Sequence, residues 1–410
     1  MTRYRLAERL TRSRKSGISE LFKWAGRPGV ISMAGGAPAA ELFDVGGVGS
    51  AFIRALHEAP AQSLQYGPPE GQQRLEAAVA EHLRGEGVSL EGQRILITTG
   101  SQQALDLVAR SFVDAGDAIV VESPTFLGAL GIFALNEPRY VTLPVDADGA
   151  QVERLAELSP DRLPKLVYVA PNFGNPSGAC LSLERRRWLL RWASENEVFI
   201  LEDDPYGALR TDGAPIPSLK ALARDIPGAP QWCAYTSTLS KTVAPGLRIG
   251  WLVLPAEIAA DLTRVKQTMD MHTSSLVQEA AARYLESGVL PAHVERIRKA
   301  YKQRKDALVD AVRSTLGDRL SFVVPDGGMF LWARFHDEQE IDTQKLLRHA
   351  AEEGVVYMPG VYFYASEPDA STLRLNFTRG APEELREGVA RLSRAVAHFQ
   401  ATQRAAPAIA

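Results

Sequence analysis

The stretch richest in chemistry is Tyr235-Thr-Ser-Thr-Leu-Ser-Lys241, followed at a short distance by Arg248. An apolar run from Trp232 to Tyr235 ends there in hydroxyl residues and then a lysine. An amine at the exit of a buried strand is poorly placed to be a solvated charge. Burial and cationic neighbours lower its pKa and make it a Schiff-base nucleophile. Thr238, Ser240 and Arg248 offer hydroxyl donors and a guanidinium, the partners a phosphate selects. A lysine beside a phosphate site suggests pyridoxal phosphate. The plain alternative is a strand end followed by a basic surface turn, and this stretch alone leaves both open.

Other residues supply what such a cofactor needs. Gly100-Ser101-Gln102 follows the apolar run Arg94–Thr98 and opens a helical pattern. Free backbone N–H groups, the positive end of a helix dipole and a serine hydroxyl make an anion site, though Ser101 could equally be an ordinary cap. Asn175, in Asn-Pro-Ser-Gly178, reads first as a turn residue and could donate to a ring oxygen. Asp203 ends another strand; an acid there could pair with a pyridinium nitrogen, with Tyr206 bonding the neighbouring phenolate. Phe126 could stack on a planar ring or simply be core. Arg374 sits inside an apolar strand, where an unpaired charge is costly, so it has either a structural acid partner or a carboxylate ligand. The Gly35-Gly36 pair is a turn or a close approach of backbone to a ligand.

The elements that must position these residues are strands. Apolar runs at Arg94–Thr98, Ala118–Glu122, Tyr140–Leu143, Lys165–Ala170, Val198–Leu201, Cys233–Ser237 and Ile249–Leu254 mostly alternate with helical patterns. That implies an α/β fold with a mainly parallel, seven-stranded sheet covered by helices on both faces. In such sheets ligands bind at the carboxyl ends of the strands, where the candidate residues fall. A smaller α+β set closes the chain, with strands near Phe322, Met329–Arg334, Val355–Met358 and Leu373–Phe377 and a helix from Pro382 to Phe399. The expected domains are an N-terminal arm and lid packing with the small domain (1–60), a large cofactor domain (61–290), a small C-terminal domain (291–400) and a disordered tail (401–410).

Composition narrows the function classes. The chain has 410 residues, 45% hydrophobic and 23% charged, with a formal net charge of -3. That balance gives no reason to expect nucleic acid or a membrane surface as partner. No apolar run approaches the roughly 20 residues that span a bilayer. Cys180 and Cys233 have no metal-type spacing and read as reduced residues of a cytoplasmic protein. The histidines form no ligand pattern, so no metal is expected. Neither a P-loop nor a dinucleotide fingerprint is present.

The ordered series Gly-Ser-Gln, Pro-Thr-Phe, Asn-Pro-x-Gly, Asp-x-x-Tyr, Ser-x-x-Ser-Lys, Arg and a late Arg resembles the fold-type I PLP-dependent aminotransferases. Within them it looks like the branch with aminoadipate, kynurenine and aromatic aminotransferases. The resemblance implies that Lys241 is the Schiff-base lysine and proton shuttle, and that Asp203 holds the pyridinium. It implies that Asn175 and Tyr206 bind the phenolic oxygen and that Phe126 stacks on the ring. Gly100, Ser101, Gln102, Thr238, Ser240 and Arg248 would hold the phosphate, joined by Tyr66 from the other subunit of a homodimer with its sites at the interface. Gly36, Tyr66, Asn175 and Arg374 would bind the substrate.

Four departures stand out. Phe126 replaces a common Tyr, Gly174 a common Gln and Ser237 a common Gly. Ser19 stands where relatives accepting long dicarboxylates carry Arg, which argues for neutral or aromatic substrates over 2-aminoadipate. The expected reaction moves the amino group of an L-amino acid to a 2-oxo acid such as 2-oxoglutarate. A lyase, decarboxylase or racemase on the same cofactor, and a PLP-sensing regulator domain, are the alternatives; the short arm ahead of Gly35 argues against the last.

Overall fold

Strands rich in Val, Ile and Leu are buried on both faces here, and that burial requires helices on either side of the sheet. The computed structural model describes residues 4, 5, 7–12, 23–336 and 341–405. Its large sheet has eight strands, in the order Gln93–Thr98, Gly250–Pro255, Cys233–Thr238, Phe199–Asp203, Leu166–Val169, Ala118–Ser123, Arg139–Asp146 and Gly149–Ala150. The central pairings are parallel. Gly250–Pro255 runs antiparallel to both of its neighbours. The expected seven strands are all present. The eighth, Gly149–Ala150, is a two-residue antiparallel edge, too short to leave a periodic signal.

Apolar clusters fill both sides of this sheet. On one side Leu105, Val108, Ile132 and Leu262 pack beneath Leu201 and Leu252. On another, Leu189, Leu190 and Val198 pack with Ile200. The small domain carries an antiparallel four-stranded sheet, Leu320–Phe322, Phe330–Phe335, Thr372–Asn376 and Met358–Pro359. The long helix Leu290–Leu316 and the last helix Pro382–Ala405 pack on it through Leu308, Val312, Leu392 and Val396.

The segment expected to lie with the small domain divides. Ile31–Ser32 pairs in parallel with Val355–Val356, and Ile31, Met33, Ala34 and Ala39 join the small-domain core. The helix Val45–Glu58 instead buries Ala51 and Ala55 against Ala280 and Ala281 of the large domain. Its small residues allow that close approach. The last helix continues to Ala405, into the segment expected to be disordered, because no helix breaker occurs before Pro407. Residues 406–410 lie outside the described residues, as does the lid region containing Ser19.

Candidate active site

The carboxyl ends of the parallel strands and the near edge of the small domain enclose a cavity of about 340 Å³. That is the size of a small-cofactor site. Lys241 follows the strand Cys233–Thr238 and reaches into the cavity, where its Nζ donates to the Gly36 carbonyl at 3.1 Å. Burial lowers its pKa to about 8, aided by the positive charges of Arg374 and Arg248 and opposed by Asp203. An amine so placed is free of its proton far nearer neutrality than an ordinary lysine, as a nucleophile requires.

Asp203 ends the neighbouring strand. Its Oδ2 accepts from the Tyr168 hydroxyl at 2.9 Å, whereas Oδ1 is buried with no partner. Burial pushes its pKa up to about 7, opposed by the Tyr168 hydrogen bond and by Lys241. A buried carboxylate with one open oxygen in a cavity calls for a cationic N–H. Tyr206 lies at the next turn with its ring 5.8 Å from Lys241 Nζ, and it lines the cavity together with Asn175.

Arg374 is 2% exposed in the strand Thr372–Asn376. No carboxylate pairs with it among the described residues. Nη1 donates to Asn175 Oδ1 at 2.6 Å and Nη2 to the Ala34 carbonyl at 2.5 Å, while Nε has no partner. The rings of Phe330 and Phe363 lie 4.1 and 5.0 Å from the guanidinium carbon. Burial lowers its pKa to about 10. A guanidinium this dry, held only by neutral acceptors, retains the capacity to take a carboxylate.

At the other end of the cavity the helix Ser101–Phe112 begins without any side-chain cap, leaving its first N–H groups open. Gly100 precedes it at φ +79, and a Cβ there would run into the Arg248 guanidinium. Arg248 is thus laid directly over the helix start, donating to the Thr99 carbonyl at 3.2 Å and to Ser240 Oγ at 3.5 Å. Thr238 Oγ1 and Ser240 Oγ lie 2.9 Å apart beside it. Helix N–H groups, hydroxyls and a guanidinium on one spot are the donors that a phosphate cradle needs.

The predicted residues therefore converge. Gly36, Ser101, Gln102, Phe126 and Asn175 line the cavity together with those already placed. Gly100 lies just beneath the cradle. Tyr66 is the exception: it is 77% exposed, edge-on to His272 and away from this cavity. The sequence reading missed Tyr168, Leu127 and Met358, which also line it. For Tyr168 the signal was a phenol inside a wholly apolar strand, since a buried hydroxyl must find a partner. Two departures gain an account. Ser237 Oγ donates to the Asp204 carbonyl at 2.7 Å, and a side chain at Gly174 would press on the Ala170 carbonyl, 2.9 Å from its Cβ.

These groups fit pyridoxal phosphate: a cradle for the phosphate, an open acid oxygen for the ring nitrogen, Asn175 and Tyr206 for the ring oxygen, and a lysine between them. A family described as aminotransferase class I and II matches residues 38–392. The chain is 39% identical to the aromatic-amino-acid aminotransferase 1 of Thermococcus litoralis, over 95% of this chain and 93% of that protein. It is 36% identical to the 2-aminoadipate transaminase of Thermus thermophilus, over 94% of each. Its fold superposes on the kynurenine aminotransferase of Pyrococcus horikoshii with a TM-score of 0.91 at 37% identity, covering 96% of this chain and 97% of that one.

Proposed function

The chain belongs to the class I and II aminotransferases, enzymes dependent on pyridoxal phosphate, and we propose that its donor is a neutral or aromatic L-amino acid and its acceptor a 2-oxo acid such as 2-oxoglutarate. One observation carries the residue roles: Lys241, the open oxygen of Asp203 and the unpaired edge of Arg374 face a single cavity. When bound, the cofactor provides an electron sink for the negative charge left at the substrate's Cα. Lys241 Nζ would hold the cofactor and would then take and return the proton at Cα. Asp203 accepts from the ring nitrogen and so favours its protonated form. Arg374, held in place by Asn175, would clamp the α-carboxylate, and Phe126 would stack on the cofactor.

The cavity wall supports the choice of donor. Gly35, Gly36, Leu127, Phe126 and Met358 all line it. Its charged lining residues are Asp203, Lys241, Arg248 and Arg374 among the described residues, and each already has a role. A neutral or aromatic side chain meets no uncompensated charge in such a wall. An acidic acceptor has a further option: the Arg379 guanidinium lies 3.7 Å from where a Cβ on Gly35 would project, at the rim. Arg379 forms no ion pair among the described residues.

The active unit in this reading is a homodimer in the cytoplasm. Exposed Ile53, Leu56, Leu64 and Tyr66 leave apolar surface for a second copy to cover, and Tyr66 would complete that copy's phosphate site. Both described cysteines are free, as in a reducing compartment.

A half-reaction screen tests the whole reading. Holoenzyme mixed with one amino acid and no acceptor should yield one equivalent of 2-oxo acid per subunit, fastest with aromatic or neutral donors. Release of ammonia or CO₂ instead would make it a lyase or decarboxylase. A clear preference for 2-aminoadipate would overturn the donor class alone.

A further inference from the structure

Asp203 is flanked by two other buried groups that the mechanism above leaves without a task. Tyr168 lies on the strand Leu166–Val169, which pairs in parallel with Phe199–Asp203. Its ring is 0% exposed and packs edge-on against Phe133 at 5.3 Å, so its direction is fixed. Its hydroxyl hydrogen, which burial holds in place well above the usual phenol range, goes to Asp203 Oδ2. Glu122, on the strand Ala118–Ser123 beyond, accepts one bond from the Ala170 N–H at 3.2 Å. Burial pushes Glu122 up to about 8, leaving it mostly protonated at neutral pH.

We propose that Tyr168 is a positioning residue that fixes which oxygen of Asp203 meets the cofactor and keeps the shared proton on the ring nitrogen rather than on the acid. This rests on the assignment of Asp203 to that nitrogen. With Oδ2 occupied by a phenol donor, Oδ1 is left as the oxygen with no partner, and it cannot exchange places without breaking a buried hydrogen bond. Donation to Oδ2 also lowers the basicity of the carboxylate, which matters because burial works in the opposite direction. A proton shared between a ring nitrogen and an acid resides on the nitrogen only when the acid is the weaker base. Removing the hydroxyl would make Asp203 more basic and let it draw that proton away. The electron sink would weaken while the phosphate cradle and the Arg374 clamp stayed intact.

The test uses holoenzyme reconstituted with ring-¹⁵N pyridoxal phosphate. The nitrogen should resonate as a pyridinium in the native protein and move toward the unprotonated position in Tyr168→Phe. That variant loses one oxygen and keeps the ring packed on Phe133. Its kcat should fall by about tenfold or more, the cost of a misplaced catalytic group, with donor KM within about threefold. Reconstitution with the analogue carrying carbon in place of the ring nitrogen should abolish the difference, because the variant and native proteins would then share the same defect. A pyridinium signal unchanged in Tyr168→Phe, or an equal rate loss with the carbon analogue, overturns the proposal. Tyr168→His keeps a donor and should restore part of the signal; if the phenylalanine variant is insoluble, it is compared with donorless Tyr168→Leu by the same criteria. Asp203→Asn separates the two levels. If it retains native activity the assignment of Asp203 fails; if it is inactive while Tyr168→Phe behaves as native, only the role of Tyr168 fails.

Discussion

Lys220 is buried and Lys241 half-buried beside the same sheet, and their surroundings differ in a way that separates scaffold from site. The Lys220 ammonium donates to Gln93 Oε1 at 2.6 Å, to the Pro230 carbonyl at 3.2 Å and to the Cys233 carbonyl, so its three protons are used. Lys241 meets a single carbonyl, that of Gly36. The same contrast holds for arginines. Arg186, 0% exposed, is surrounded by the carbonyls of Leu181, Pro171 and Pro217 and by Asn172 Oδ1, whereas Arg374 keeps an unused Nε. It holds for the consecutive acids too. Glu202 takes the N–H groups of Leu219 and Lys220, and Asp204 takes Asn172 and the Gly207 N–H, while Asp203 has an open oxygen. Burial does not separate the arginines or the acids, since all of them are buried. Within each set, the member that lines the cavity is the one with hydrogen-bonding capacity left over, an arrangement that is costly unless a ligand is expected.

The most forceful way to break this contrast is to exchange the lysines' fates. Lys241→Ala should lose about four orders of magnitude in turnover, the upper range for removal of a catalytic proton carrier, and borohydride should no longer fix the cofactor to the protein. The melting temperature of its cofactor-free form should hold or rise. Lys220→Met should do the reverse, leaving kcat intact and lowering stability by about 2 kcal/mol for its stranded acceptors, read by urea titration.

The arginines are expected to split along a different axis. Arg374→Met should raise KM for amino and oxo acids by about a hundredfold through loss of charge-assisted bonds. Arg186→Met should leave KM unchanged and cost about 3 kcal/mol of stability, since it strands several buried carbonyls. If Arg186→Met altered KM without destabilising, unspent capacity would not be the criterion.

A pH measurement sharpens the comparison. Because the Lys241 pKa is lowered from 10.5 to about 8, its unprotonated fraction grows with rising pH and saturates above that value. Cofactor capture by the cofactor-free protein should therefore rise about tenfold per pH unit below about 8 and then level off. A rate still climbing at pH 10 would mean an ordinary lysine. The smallest expected effect lies at the rim: Arg379→Gln should raise KM for 2-oxoglutarate by about threefold, as an exposed charge contact is worth little, and leave the donor KM alone.

Much of this was legible before any coordinates. Asp203, Lys241 and Arg374 stand out because each interrupts or ends an apolar strand, a position where charge has to be explained. The strand runs and their alternation with helices set the sheet. Tyr168 carried only a weak signal, a phenol in an apolar strand, because a tyrosine among Leu, Val and Val also reads as core until its hydroxyl's partner on the next strand is seen. Leu127 and Met358 are invisible for the opposite reason: apolar residues give no sign of which cavity they line. The division of the N-terminal segment was hidden as well, since Ala51 and Ala55 would suit either domain.

The carboxylate clamp joins Ala34, Asn175 and Arg374, which lie near the start, middle and end of the chain. The residues of the phosphate cradle, and the strand Gly250–Pro255 that lies between its two halves, all precede Arg374 in the chain. A chain that stopped short of the strand Thr372–Asn376 would keep every residue of the cradle and have no clamp.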